Sequence, residues 1–181
     1  MMSLSSAISS ALLFLVIAMV AKSQPLDNTV CEPGWSKQRL CGDVYCYKEV
    51  DISPNYQDFE HSVTHDWCQL FFPFTKAHLA SVHCDEEHDY IQSLAPESVI
   101  GFHVPEEQQN NGMFSMSDYR WTDGSPVDFN GWNAYSSVKG PANGKHGYVA
   151  YNRNSVGPGG WISTDYGFKR AICKVKALLK Q

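Results

Sequence analysis

The sequence predicts a disulfide-stapled α+β domain with two helices, small antiparallel sheets and a long loop region. Three observations carry that prediction. Six cysteines lie within one exported-looking chain of 181 residues. Helical periodicity is confined to the first half. From Gly101 to Gly160 the chain turns to Gly, Asn, Ser, Trp and Tyr, with no sustained period.

Residues 1–23 read as a signal peptide. The apolar run Ser9 to Val20 is shorter than the roughly 20 residues a spanning helix needs. It ends at Ala21-Lys22-Ser23, a small-x-small cleavage pattern, with no basic residue ahead of it. The mature part, about 158 residues, suits one domain with a single core. Residues 24–30 form a polar lead-in, 31–176 the domain, and 177–181 a short basic tail. Cys31, Cys41, Cys46, Cys68, Cys84 and Cys173 all follow the signal, so their even number predicts three bridges. Close Cys-x-x-Cys pairs, which a structural zinc site needs, are absent. A net charge of −5 argues against nucleic acid, and no Asn-x-Ser/Thr sequon occurs.

The elements follow in order. Tyr45 to Val50 reads as a strand. Asn55 to Leu70 reads as a first helix, with Phe59, Val63 and Trp67 on one face, ended by Phe71-Phe72-Pro73-Phe74. His78 to Val82 is a short strand. A second helix opens at Cys84-Asp85-Glu86-Glu87 and runs to about Leu94; a thiol is a poor N-cap, so Cys84 is there to be bridged. Arg170 to Val175 is the closing strand.

Six blocks in this order resemble the C-type lectin-like domain family. They are Cys31-Glu32-Pro33-Gly34-Trp35; Trp67-Cys68; His78-Leu79-Ala80-Ser81-Val82-His83 followed by Asp85-Glu86-Glu87; Val99-Ile100-Gly101-Phe102; Trp121 to Phe129 with Trp132; and Ala171-Ile172-Cys173. The resemblance spans about Cys31 to Val175. It implies a Cys68–Cys173 bridge between the first helix and the last strand. Cys31, Cys41, Cys46 and Cys84 then allow three pairings. Cys31–Cys41, whose spacing suits a hairpin staple, with Cys46–Cys84 is the expected set, although Cys46-Tyr47 is similar to the Cys-Tyr that ends the family's staple. The family's second core bridge is missing: Tyr148 and Tyr166 stand at both of its positions, which predicts a looser upper lobe.

The family's calcium ligands are missing as well. Where Glu-Pro-Asn or Gln-Pro-Asp and Trp-Asn-Asp are usual, this chain has Gly140-Pro141-Ala142 and Trp161-Ile162-Ser163. From Phe129 through Thr164 there is no Asp or Glu, while Lys139, Lys145 and Arg153 are present. Calcium takes about 6–8 oxygen ligands, with carboxylates supplying the charge, so no calcium site is expected there, and no metal or other cofactor.

The same stretch holds the candidate ligand-binding residues: Asn130, Asn133, Tyr135, Lys139, Asn143, Lys145, Tyr151, Asn152 and Arg153. Amides and aromatic rings suit sugar rings, and basic groups on an acidic protein steer anionic partners. Trp132 and Trp161 are expected in the core instead. His61 and His65 share a helix face without the glutamate or third ligand of a zinc site. Lys174, Lys176 and Lys180 are expected to be solvated. No nucleophile elbow, phosphate loop or paired catalytic carboxylate occurs.

The resulting expectation is a secreted, extracellular, non-enzymatic recognition protein, binding a glycan or protein ligand without calcium, with innate immunity as its setting. A matrix or coat component on the same scaffold is the alternative. Neither nucleic acid nor membrane insertion is expected.

Overall fold

A computed structural model describes residues 28–52, 66–105, 107–108, 114–132, 148–151, 160–164 and 168–180. Ser36–Leu40 (β2) and Asp43–Asp51 (β3) form a hairpin whose turn, Cys41-Gly42, takes positive φ at both residues (51° and 86°). Such a turn matches the twist of the strands it joins. β3 pairs antiparallel with the closing strand, Arg170–Lys176 (β9), over seven residues. β9 also takes His78–Leu79 (β4) on the same edge as Ser98–His103 (β5), which lies parallel to it. From β5 the sheet continues to Tyr148–Tyr151 (β7) and Trp161–Thr164 (β8), with Arg120–Trp121 (β6) paired to β5. Residues Thr29–Val30 (β1) and Leu178–Leu179 (β10) pair with each other, so the expected lead-in and tail are joined as a two-stranded sheet. Among the described residues no helix is long and apolar enough to cross a membrane.

The sheet is covered on both faces, and strand alternation sorts its side chains between two cores. On one face Tyr47, Ile100, Phe102, Val149, Tyr151 and Ile172 meet Ile91 of helix α2 (Asp85–Leu94). On the other, Leu79, Val99, Tyr148, Ala150, Ala171 and Cys173 meet Trp67 and Cys68 of helix α1 (Trp67–Phe71). Helix α2 has the expected bounds, and Cys84 caps it with no side-chain hydrogen bond. The expected first helix, Asn55 to Leu70, does not run through as one piece: Asp66, at φ 47° and ψ 92°, is not helical, and the described helix begins only at Trp67. Asn55 to His65, with His61 and His65, lies outside the described residues. The start of α1 is fixed by Asp66, held at φ 47°. One Asp66 oxygen accepts from the N–H groups of Cys68 (3.1 Å) and Leu79 (2.9 Å), and the other meets His78 Nδ1 at 2.9 Å. That carboxylate holds Cys68 beside β4 and within reach of Cys173.

The Cys68–Cys173 bridge is present. The other two differ from the expected Cys31–Cys41 and Cys46–Cys84: the structure pairs Cys31 with Cys46 and Cys41 with Cys84. The hairpin gives the reason. Cys41 sits at its turn and Cys31 precedes the far end of β2, five extended residues away. At about 3.3 Å per residue that strand spans about 16 Å, beyond the roughly 7 Å limit between bridged Cα atoms. Cys46, opposite Lys37 near the start of β2, is the reachable partner for Cys31.

Lys174 is a second correction. It lies on β9, 6 % exposed, and its Nζ is 2.6 Å from Glu87 Oε1, itself 0 % exposed. Nζ also donates to Ser81 O (3.0 Å) and stands 4.2 Å above the Tyr45 ring. Glu87 accepts further from Tyr47 OH (2.5 Å) and from the His83 N–H (2.9 Å). Burial, together with the Glu87 charge, pushes the Tyr47 hydroxyl far above its ordinary range, so it stays a donor. Lys176, by contrast, is exposed, with Asp43 at 3.2 Å.

Candidate functional site

The described part of the loop face is the stretch that leaves β6. Thr122 N–H donates to Gly101 O (2.9 Å), and Gly124, at φ 74°, turns the chain. A Cβ at Gly101 on β5 would stand 2.6 Å from Leu79 O and 2.7 Å from Thr122 Oγ1, so only glycine lets β5 approach both β4 and this turn so closely. Asp123 closes the turn, accepting from the Ser125 N–H and hydroxyl (2.9 and 2.6 Å) and from Ser81 Oγ (2.6 Å). Burial works to raise its carboxyl pKa, but these hydrogen bonds outweigh it and hold the group below the usual carboxylate range.

Beyond Ser125, residues 126–128 are exposed, and the chain then turns toward the core. Asp128 and Asn130 face solvent, whereas Phe129 and Gly131 turn inward onto Trp161. Gly131 O accepts from the Trp161 N–H (2.8 Å), and Trp132 forms an isolated parallel bridge with Trp161. Trp161 is wholly buried among Phe102, Trp121, Phe129 and Trp132, as its expected core role requires. Trp132 is half-buried, its indole N–H directed at Met116 Sδ. A Cβ at residue 131 would lie 2.5 Å from the Trp161 ring. Gly131→Ala therefore overpacks the site and costs about 1–3 kcal/mol, read as a lower denaturant midpoint with an unchanged slope.

Two of the candidate residues can be placed. Asn130 is exposed, its side-chain oxygen accepting from the Trp132 N–H at 3.2 Å, which shapes the turn and leaves the amide nitrogen outward. Tyr151 is a correction: it is fully buried on β7, its hydroxyl 3.1 Å from His88 Nδ1. Burial pushes its pKa up, so it is a neutral core residue and no surface contact for a ligand. It lies inward because β7 is covered on both faces. Asn133, Tyr135, Lys139, Asn143, Lys145, Asn152 and Arg153 lie outside the described residues, as do Gly140-Pro141-Ala142 and Tyr166. Tyr148, at the other position of the missing bridge, is buried in the second core.

The structure adds residues that the sequence did not single out. His83 Nδ1 is 2.6 Å from Asp128 Oδ1, joining the start of α2 to the loop. His88 packs between Phe129 and Tyr151. Exposed Asp128 and Asn130 flank half-buried Phe129, so this edge presents polar groups around one aromatic ring. No sequence signal points to the His83–Asp128 pair, because 45 residues separate its members. Among the described residues no three His, Cys, Asp or Glu side chains gather as a metal shell. Among the described residues, the carboxylates that precede the loop, Asp123 and Asp128, are engaged by hydroxyls and by His83.

No protein-family model matches the chain. Curated relatives include a lectin of Pleurodeles waltl, 27% identical over 131 residues, which cover 72% of this chain and 67% of the relative. A snaclec polypeptide of Philodryas olfersii is 29% identical over 133 residues, or 70% and 68% of the two chains. Among solved structures, a calcium-independent type II antifreeze protein superposes with a TM-score of 0.53 at 19% identity, covering 83% of this chain and 97% of that one. CEL-IV superposes with 0.51 at 21% identity, covering 84% and 98%.

Proposed function

We propose that this chain, a C-type lectin-like domain, is a secreted recognition protein that binds a glycan or protein ligand at its loop face without calcium. One observation carries the reading: from Phe129 through Thr164 the chain holds no carboxylate, yet it offers asparagines, aromatic rings, Lys139, Lys145 and Arg153. A dication needs several anionic oxygens; a sugar or an acidic partner needs donors, amides and an apolar ring face. Lectin and snaclec relatives support a binding role over an enzymatic one. The signal-like leader supports export, and a setting in innate immunity rests on that reading of a secreted binder.

A glycan and protein array, run with calcium and again with a chelator, tests this. Selective hits of equal strength in both conditions are expected, weakened by about tenfold or more when Lys139, Lys145 and Arg153 are changed together to Gln. Hits that vanish with the chelator, or that survive the triple change undiminished, contradict it.

A further inference from the structure

An open groove of about 260 Å³ lies between the Cys31–Cys46 bridge, the turn at 73–76 and the ends of β9 and β10. It belongs to the β3–β9 flank of the sheet and shares no residue with the loop face. Its walls are apolar, formed by Val30, Trp35, Val175 and Leu178. Phe74, at the tip of the turn, is 98 % exposed, and Leu178 is 64 % exposed. Two large apolar side chains thus stand in water at one groove.

The polar groups at this groove are mainly cationic. Lys76 lines it and has no ion-pair partner among the described residues. Lys176 lines it with Asp43 at 3.2 Å, and Lys48 Nζ stands 6.0 Å from the centroid of the Trp35 ring. Of the charged groups that line the groove, Lys76 and Lys176 stand against Glu32, with Lys48 and Asp43 outside the lining. On a chain of net charge −5, this flank carries a local positive excess. The groove falls just under the roughly 300–1,000 Å³ of drug-sized ligand sites, so it fits one short chain in place of the knobs of a folded partner.

We infer that this groove binds a single-chain amphiphilic anion, such as a medium-chain carboxylate. The chain lies along Val30, Trp35 and Leu178, and the head group pairs with the Lys76 ammonium. Apolar walls supply affinity, and the unpaired cation selects the sign of the head group.

The test is calorimetric titration of the purified chain with decanoate below its micellar concentration, beside decanol and decylammonium. A brominated decanoate is expected to quench tryptophan fluorescence in the native chain and not in Trp35→Phe; quenching undiminished in that variant overturns the proposal. Decanoate is expected to bind about tenfold tighter than either analogue. Lys76→Glu and Leu178→Asp, each an exposed position checked for an unchanged unfolding transition, are each expected to weaken it by about tenfold. Equal affinity for the three head groups overturns the proposal, as does full binding by either variant. Phosphatidylcholine vesicles with and without phosphatidylserine form the last arm. Binding to anionic vesicles with no uptake of monomeric decanoate also overturns it, and would assign the groove to a lipid surface.

Discussion

Replacing Cys68 and Cys173 together by alanine lowers the unfolding free energy by about 4–5 kcal/mol, the largest loss expected of any bridge in this protein. The pair is separated by 105 residues, so the bridge closes most of the domain. In the chain-entropy model a loop of about 100 residues is worth about 4.7 kcal/mol, and shorter loops less. Cys41–Cys84, across 43 residues, and Cys31–Cys46, across 15, then rank second and third. Both sulfurs of the long bridge are fully buried, so alanine also leaves a small void on the α1 face. Urea denaturation of the three double variants checks the order. A Cys31/Cys46 variant less stable than the Cys68/Cys173 variant would contradict it.

Lys174→Met costs about 3–5 kcal/mol. Removing the ammonium strands Glu87 wholly buried, with Tyr47 and the His83 N–H as its remaining donors. It also frees Ser81 O from its lysine donor. The partner change separates a charge effect from a packing effect. Glu87→Gln with Lys174→Met removes both ions, and most of the loss is recovered, because a buried pair is costly to break and much less costly to delete. A double variant no more stable than Lys174→Met alone would mean that packing around Lys174 matters and the ion pair does not. Chemical denaturation of the four members of the cycle gives the coupling directly.

Much of this fold is legible in the sequence, and the reasons are local. Helix α2 announces itself by acidic residues after a bridged cysteine, and its bounds fall where expected. The closing strand and the long bridge follow from ordered blocks that the fold repeats. What was not legible depends on geometry between segments. The pairing of Cys31, Cys41, Cys46 and Cys84 is decided by the register of β2 on β3, which sets Cys46 opposite Lys37 and leaves Cys41 at the turn facing Cys84. Lys174 reads as one of a run of basic residues near the end of the chain. Its burial follows only from β9 lying between β3 and β5 with Glu87 across from it. Tyr151 looks like a loop tyrosine until β7 is seen to be covered on both sides. The proposed binding face is legible only as a composition: a stretch free of carboxylates can be read directly. The His83–Asp128 contact needs the fold, because it joins the start of α2 to a loop far along the chain.

The proposed recognition without calcium is open to a single measurement, calorimetric titration of calcium into the ligand-free chain. No saturable heat is expected at millimolar calcium, and the unfolding midpoint is expected to be the same with calcium as with chelator, since a ligand of the folded state alone would raise it. Saturable binding of one calcium ion together with a raised midpoint would contradict it, and would place carboxylates around a site that the loop from Phe129 to Thr164 does not supply.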